Sequence, residues 1–380
     1  MTTRANVPTN PPGWLEAVPW MGLSVGAWLK MHSRHRFQTD LGSWPGALFD
    51  LACGCLNSTL GVVQHLTYDK AARRAPLPVS PLFVVGHWRT GTTLLHELLS
   101  LDSSMRSPTT YECLAPHHFL VTGSWLPRLT RFSLPPTRAF DAVRVSWDAA
   151  QEDEFALCNL GLESPYAAIA FPNEGDRDEV ALELDELSTR EQQRWRDGLA
   201  RFLKQLVLFR PGRLLLKSPT HTFRLPTLVD MFPQAQWILT ARNPYAVFAS
   251  TVKLWRSLYV TYAYHRPDLS QLESQVIDRF ARMHQRWRAT SGLLNEQQLA
   301  VVRYEDLVRD PLATVHQVYG RLQLTDYESV EPRIREYFAD RADYQPNRHS
   351  VEPQWRELIR ERWRDYFDDF RYDLETGEPL

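Results

Sequence analysis

The stretch Phe83-Val-Val-Gly-His-Trp-Arg-Thr-Gly-Thr-Thr-Leu-Leu-His-Glu-Leu-Leu99 decides how this chain folds. A short apolar run with the pattern of a buried strand meets Gly86, four residues separate that glycine from Gly91, and a helix opens on Thr92 and Thr93. A strand that enters a glycine-bearing turn and then a helix builds an anion cradle. The first backbone N–H groups of a helix have no intrahelical partner and point at whatever lies before it. The loop that binds nucleoside triphosphates carries a lysine directly after its second glycine. Here Thr92 stands in that place, and the nearest cation is Arg89, three residues earlier and inside the loop. The expected ligand bears a phosphate but wants its cation early.

Working outward, four apolar runs read as strands: Leu82–Val85, Arg213–Leu216, Gln236–Thr240 and Leu299–Val302. Each is followed by a turn signal and a helical pattern, which implies an α/β fold with a parallel sheet flanked by helices. Such sheets bind ligands at the carboxyl ends of their strands. A kinase or ATPase needs magnesium there, held partly by an aspartate ending a second strand. The strand ends instead supply Lys217, Arg242 and Arg303. Fixed cations of this kind neutralise an anionic substrate without a metal, which disfavours the kinase reading. Lysine occurs only at positions 30, 70, 204, 217 and 253, so Lys217 at a strand end stands out.

The spacing separates two clusters. Arg89 and Lys217 flank the loop. Arg242 precedes Asn243, a good helix N-cap, and Pro244, which suits the first helical position. Ser250 lies two turns into that helix, within reach of an anion shared with Arg242. One nucleotide bearing two separated phosphates satisfies both clusters.

The pair Gly-His-Trp-Arg89-Thr-Gly-Thr-Thr and Arg242-Asn-Pro-Tyr-Ala-Val-Phe-Ala-Ser250 resembles the two cofactor motifs of sulfotransferases, which use 3′-phosphoadenosine 5′-phosphosulfate (PAPS). The resemblance extends over about residues 81 to 370 and takes in Tyr304-Glu-Asp-Leu-Val-Arg-Asp-Pro311. It implies a P-loop NTPase-like sulfotransferase fold. It also implies that Arg89, Thr90, Gly91, Thr92 and Thr93 bind the 5′-phosphosulfate, and that Arg242 and Ser250, eight positions apart, bind the 3′-phosphate. A C-terminal basic loop closes over the cofactor in the family, which puts Arg348 in the cofactor set. The loop position of Arg89 holds lysine in cytosolic sulfotransferases and arginine in the protein-tyrosine branch. Sulfuryl transfer leaves growing charge on the bridging oxygen, where a cation is most effective.

Cytosolic members follow their strand-end lysine with a catalytic histidine two residues on; Pro219 falls there in this chain, and His221 is shifted by two. The tyrosylprotein branch instead has a glutamate about twenty residues beyond the loop arginine. Glu112, twenty-three beyond Arg89, is the expected general base, with Lys217 and Arg89 beside the sulfuryl group and His221 as a rival. A capping or arginine-pairing role for Glu112 is the plain alternative. The acidic run Gln151-Glu-Asp-Glu-Phe155 offers Glu152 and Glu154 as acceptor contacts. His118 is a candidate to orient the acceptor, and His87 to touch the sulfuryl group.

Length and composition set the remaining limits. The chain has 380 residues and a formal net charge of -2, with no basic block, so nucleic acid is not an expected partner. Cys53, Cys55, Cys113 and Cys158 form no metal-ligand pattern and read as thiols of a reducing cytoplasm. No signal peptide is visible, and the stretch Ala17–Met31, read as the most apolar early segment, is broken by Lys30. No integral membrane segment is expected, and a cytoplasmic location is. Residues 1–80 read as a helical N-terminal extension and a linker, and 81–380 as the catalytic domain. The acceptor is expected to be a small molecule, lipid or glycan. Three other classes stay compatible with the sequence: a P-loop kinase, a catalytically inactive cofactor-binding module, and a membrane-surface scaffold built on residues 14–72.

Overall fold

The computed structural model describes residues 19–134, 145–174, 176–339 and 351–380. Its contacts divide the chain into two compact units. One comprises Pro78–Ser107, Pro211–Val252 and Gln271–Leu380; the other comprises Met1–Leu77, Pro108–Arg210 and Lys253–Ser270.

The first unit is built on a parallel sheet of five strands: β1 (Leu82–Val85), β2 (Met105–Arg106), β3 (Arg213–Lys217), β4 (Gln236–Ala241) and β5 (Leu299–Arg303). Their order is β2-β3-β1-β4-β5, so the loop-bearing strand is central. Four strands fall where their apolar runs predict. The fifth, two residues long, has too little sequence to show a period. Parallel strands buried on both faces need continuous apolar runs, and every residue of β1 is buried. Leu82, Val84, Leu215, Ile238 and Val302 face a core closed by Leu95, Leu98 and Leu99 of the Thr92–Leu99 helix and by Val315, Val318 and Tyr319 of the Pro311–Arg321 helix. Phe83 alternates away from that core and stacks on Trp237, with ring centroids 4.4 Å apart.

Two helices, Pro353–Arg362 and Arg364–Phe370, follow one another near residue 363. Trp363 at the break stacks on Phe280 with centroids 3.7 Å apart, and its indole N–H donates to the Ile277 carbonyl. That anchoring outweighs helix continuity.

The second unit carries the helices Val25–Arg34, Trp44–Arg74 and Thr189–Phe209. Ser24 caps the first, its hydroxyl accepting from the Ala27 N–H. Among the described residues one helix, Leu41–Arg74, is long and apolar enough to cross a membrane. The apolar stretch thus lies beyond Ala17–Met31, where the sequence reading placed it. Its buried side is polar. Asn57 donates to the Met21 and Leu23 carbonyls, Gln64 accepts from the Leu120 N–H, and Asp50 accepts from the Tyr264 hydroxyl at 2.7 Å.

Candidate functional site

The carboxyl ends of β1, β3, β4 and β5 lead into the loop 86–91, Lys217, Arg242 and Tyr304 at one edge of the sheet. Register explains the arrangement: Val84 of β1 lies beside Lys217 of β3, and Val85 beside Leu239 of β4. Lys217 therefore ends its strand level with the start of the loop. Arg242 emerges from a strand that runs past the end of β1.

Two glycines shape the loop. Gly86 has φ +142°, and a Cβ there would lie 2.8 Å from the Thr240 carbonyl oxygen. Gly91 has φ +96°, and its Cβ would lie 2.5 Å from Tyr304 Cδ2. Only glycine meets both demands. Threonines fasten the turn. Gly86 N–H donates to Thr222 Oγ1 at 2.8 Å, and the Thr90 hydroxyl donates to the His87 carbonyl and meets Thr240 Oγ1 at 2.7 Å. Thr92 and Thr93 begin the helix, with Gly91 as its N-cap.

Arg89 also has positive φ, +71°, which costs a non-glycine residue roughly 1–3 kcal/mol. Its neighbours hold it there: Arg89 Nε donates to Ser250 Oγ at 2.8 Å, and Arg242 Nη1 donates to the Arg89 carbonyl at 3.1 Å. The two clusters kept apart by sequence spacing are one hydrogen-bonded chain, Arg242–Arg89–Ser250. Asn243 Oδ1 accepts from the Tyr245 and Ala246 N–H groups, as its N-cap position demands.

Sequence reasoning missed the residues behind these cations. The Arg242 guanidinium lies over the Tyr304 ring, 4.1 Å from its centroid, a cation–π contact. The Tyr366 hydroxyl accepts from Arg242 N–H at 2.9 Å and donates to its carbonyl. Tyr304 opens a stretch already singled out, but Tyr366 is 124 residues from Arg242 and had no local signal. His87 is fully buried against Phe280, and burial lowers its pKa to about 3. It is a neutral packing residue. His221 sits in the 3-10 turn Pro219–Thr222, with its ring edge-on to Phe83. Arg348 lies outside the described residues.

The remaining candidates belong to the unit of N-terminal helices. Glu112 is buried in the Thr110–Leu114 helix, where it forms a capping box with Thr109. Its Oε2 accepts from the Thr109 N–H at 2.8 Å, and its Oε1 accepts from Arg210 Nη2 at 3.2 Å. Both the capping and the arginine-pairing alternatives are thus realised. Asp153 and Glu154 are fully buried at the start of the Asp153–Asn159 helix, against the usual solvated helix start, and Glu152 accepts from the Tyr166 hydroxyl. His118 is buried as well. Its Nδ1 meets Thr122 Oγ1 at 2.8 Å and its Nε2 meets Asn57 Oδ1 at 3.0 Å, and burial lowers its pKa to about 4. One ring nitrogen thus meets the Phe119–Thr122 helix and the other the Trp44–Arg74 helix. Among the described residues no group of three or more His, Cys, Asp or Glu side chains is placed to hold a metal ion.

Known proteins are similar to this chain in sequence and in fold. The sequence pattern of the sulfotransferase family matches residues 81–329. The chain is 38% identical over 368 residues to omega-hydroxy-beta-dihydromenaquinone-9 sulfotransferase Stf3 of Mycobacterium tuberculosis, covering 96% of this chain and 95% of that protein; the Mycobacterium bovis protein of the same name matches equally. Among solved structures, sulfotransferase STF9 of Mycobacterium avium superposes with a TM-score of 0.67 at 21% identity, covering 93% of this chain and 98% of its own. STF1 of Mycobacterium tuberculosis gives 0.62 at 20% identity, covering 89% and 90%. These two structures share the fold.

Proposed function

This chain belongs to the sulfotransferase family, and on that premise we propose that it moves the sulfuryl group of PAPS to a hydroxyl on a long, apolar, lipid-like acceptor. The observation that carries the donor assignment is the Gly86–Thr93 turn. It joins a helix start, two glycines and the Arg242–Arg89–Ser250 chain at the edge where β3 delivers Lys217. Backbone N–H groups and the hydroxyls of Thr92 and Thr93 suit the 5′-phosphosulfate. Arg89 and Lys217 suit the bridging oxygen, and Arg242 with Ser250 the 3′-phosphate. The lipid-like acceptor is supported by the dihydromenaquinone named for the 38% identical relative.

In the reaction the acceptor oxygen bonds to sulfur, the bond from sulfur to the bridging oxygen breaks, and adenosine 3′,5′-bisphosphate leaves. Cations fixed at the leaving oxygen stabilise that charge without reorganisation. The hydroxyl proton goes to a carboxylate, for which Glu112 is our assignment; its burial and acceptor-only chemistry support it. Glu112→Gln tests this, because glutamine can keep the capping box while giving up the basic carboxylate and its pairing with Arg210. Turnover is expected to fall about 10²- to 10⁴-fold while adenosine 3′,5′-bisphosphate still binds. Full turnover in Glu112→Gln, with loss in Glu154→Gln or His221→Ala, would move the base to that residue.

The donor reading is tested by thermal shift without added metal. Adenosine 3′,5′-bisphosphate should stabilise the protein far more than AMP or ATP, since a ligand bound only to the native state raises stability by mass action. Arg242→Ala should erase most of that preference, about 10- to 100-fold in affinity for the loss of a charge-assisted hydrogen bond. Equal stabilisation of the unmutated protein by AMP and the bisphosphate would sink the assignment.

A further inference from the structure

The Trp44–Arg74 helix is inside out. Its buried positions include Asp50, Asn57 and Gln64, while Leu48, Phe49, Leu56, Val62, Val63 and Leu66 are exposed, Leu66 by 78%. Between Asp50 and Asp69 the helix carries no Asp, Glu, Lys or Arg at all. The exposed strip from Leu48 to Leu66 runs about 27 Å at 1.5 Å per residue. An apolar strip of that length on a water-facing helix marks an interaction surface, whereas scattered exposed leucines do not.

A second feature of the same unit shows what covers it. The Phe119–Thr122 helix is tied to the long helix by the Leu120 N–H on Gln64, and it leads directly into Trp125-Leu-Pro-Arg-Leu-Thr-Arg-Phe132. There Trp125, Leu129 and Phe132 are exposed, Phe132 by 78%, alternating with exposed Arg128 and Arg131. No acidic residue occurs from Val121 to Leu134. Aromatic rings interleaved with arginines are the composition of the membrane interface, where rings sit at headgroup level and cations meet anionic lipid. A second copy of the chain is a poorer occupant, since a twofold contact would offer these arginines no carboxylate from the same patch.

We propose that the outer face of the Trp44–Arg74 helix, together with the Trp125–Phe132 turn, docks this protein on an anionic phospholipid bilayer. The helix lies on the bilayer and does not cross it. Its inner face is committed to hydrogen bonds with Met21, Leu23, His118, Leu120 and Tyr264 of its own unit. The inference rests on the lipid-acceptor reading for its purpose, but its test needs no acceptor.

The full chain is sedimented with phosphatidylglycerol–phosphatidylcholine vesicles and with phosphatidylcholine alone. Expected are binding to the mixed vesicles, weaker binding to neutral ones, and release by salt as surface charge is screened. Leu56→Glu combined with Leu66→Glu should lower the bound fraction about tenfold or more. Arg128→Ala with Arg131→Ala should abolish the preference for anionic lipid. Adenosine bisphosphate stabilisation, unchanged in every variant, shows that each is folded. A chain that stays in the supernatant, a glutamate pair that binds like the parent, or a dimer that the glutamate pair dissociates would overturn the proposal. Vesicle binding without sulfation of any hydroxylated lipid would leave this surface standing and remove the acceptor reading.

Discussion

The Gly86–Thr93 loop and the Trp44–Arg74 helix both bury polar groups, but by opposite means. In the loop the polar groups are largely backbone, and the chain reaches its conformation because Gly86 and Gly91 permit positive φ. In the helix they are side chains, and distant segments meet them: Tyr264 meets Asp50 Oδ2 and His118 meets Asn57. A loop made by local backbone freedom announces itself in a short motif. A helix whose orientation depends on remote partners does not, because the same residues with water as partner would face outward. Local composition therefore announces the loop and leaves open which side of the helix is buried.

Three substitutions break or sharpen this contrast. The largest effect is expected at Lys217, where a compact ammonium ends β3 level with the loop. Lys217→Arg puts a planar guanidinium in that buried place. Turnover should fall on the order of 10²-fold or more, while adenosine bisphosphate affinity stays within a few-fold. Steady-state kinetics beside calorimetric titration separates the two, and near-normal turnover would mean that charge alone suffices at the strand end.

Next comes the loop itself. Gly91→Ala places a methyl against Tyr304 at a φ that alanine resists, so about 1–3 kcal/mol of strain is expected. Thermal melting with and without adenosine bisphosphate reads it as a lower melting temperature and a diminished ligand shift. A tolerated alanine would show that the turn does not depend on glycine here.

On the helix an effect of comparable size but opposite sign is expected. Burial raises the Asp50 pKa from 3.8 to about 6, against the lowering effect of the Tyr264 hydrogen bond. With a folded value above the unfolded one, the native state favours protonated Asp50. That contribution is present below about pH 4 and is lost as pH rises through 6, so at pH 7 the ionised group is a liability. Asp50→Asn keeps a hydrogen-bond acceptor and removes the charge. Stability at pH 7 should rise by about 1–3 kcal/mol, and the gain should vanish by pH 4. Denaturant melts at the two pH values measure it; a loss at pH 7 would mean that the carboxylate itself is needed. His87 and His118, with folded values of about 3 and 4, pull the other way: both cost stability as pH falls below 6.5.

The same distinction explains what the sequence made legible. Four strands and the Asn243–Pro244 helix start were readable, because each carries its signal within a few residues. The two-residue β2 was too short to show one. Thr109-x-x-Glu112 is a capping-box pattern in plain sight, and the structure forms it. The acidic run at Glu152–Glu154 reads as a solvated helix start with one acid turned inward, whereas both Asp153 and Glu154 are buried. Tyr366 and the inverted helix required partners 34 to 214 residues away, which no short window along the chain contains.

One such partner has a consequence for the order of events in synthesis. The turn that carries Arg242 is gripped by residues more than a hundred positions later in the chain. Tyr366 brackets the Arg242 backbone, Tyr372 donates to Glu305, whose other oxygen accepts from the Asn243 N–H, and the Asn243 side chain reaches the Thr376 carbonyl and Glu378. A nascent chain can form β1, its loop and β4 long before these residues have left the ribosome. Until they emerge the Arg242 turn is held only by its contacts with Tyr304 and Arg89, so the anion site is completed well after the strands that carry it.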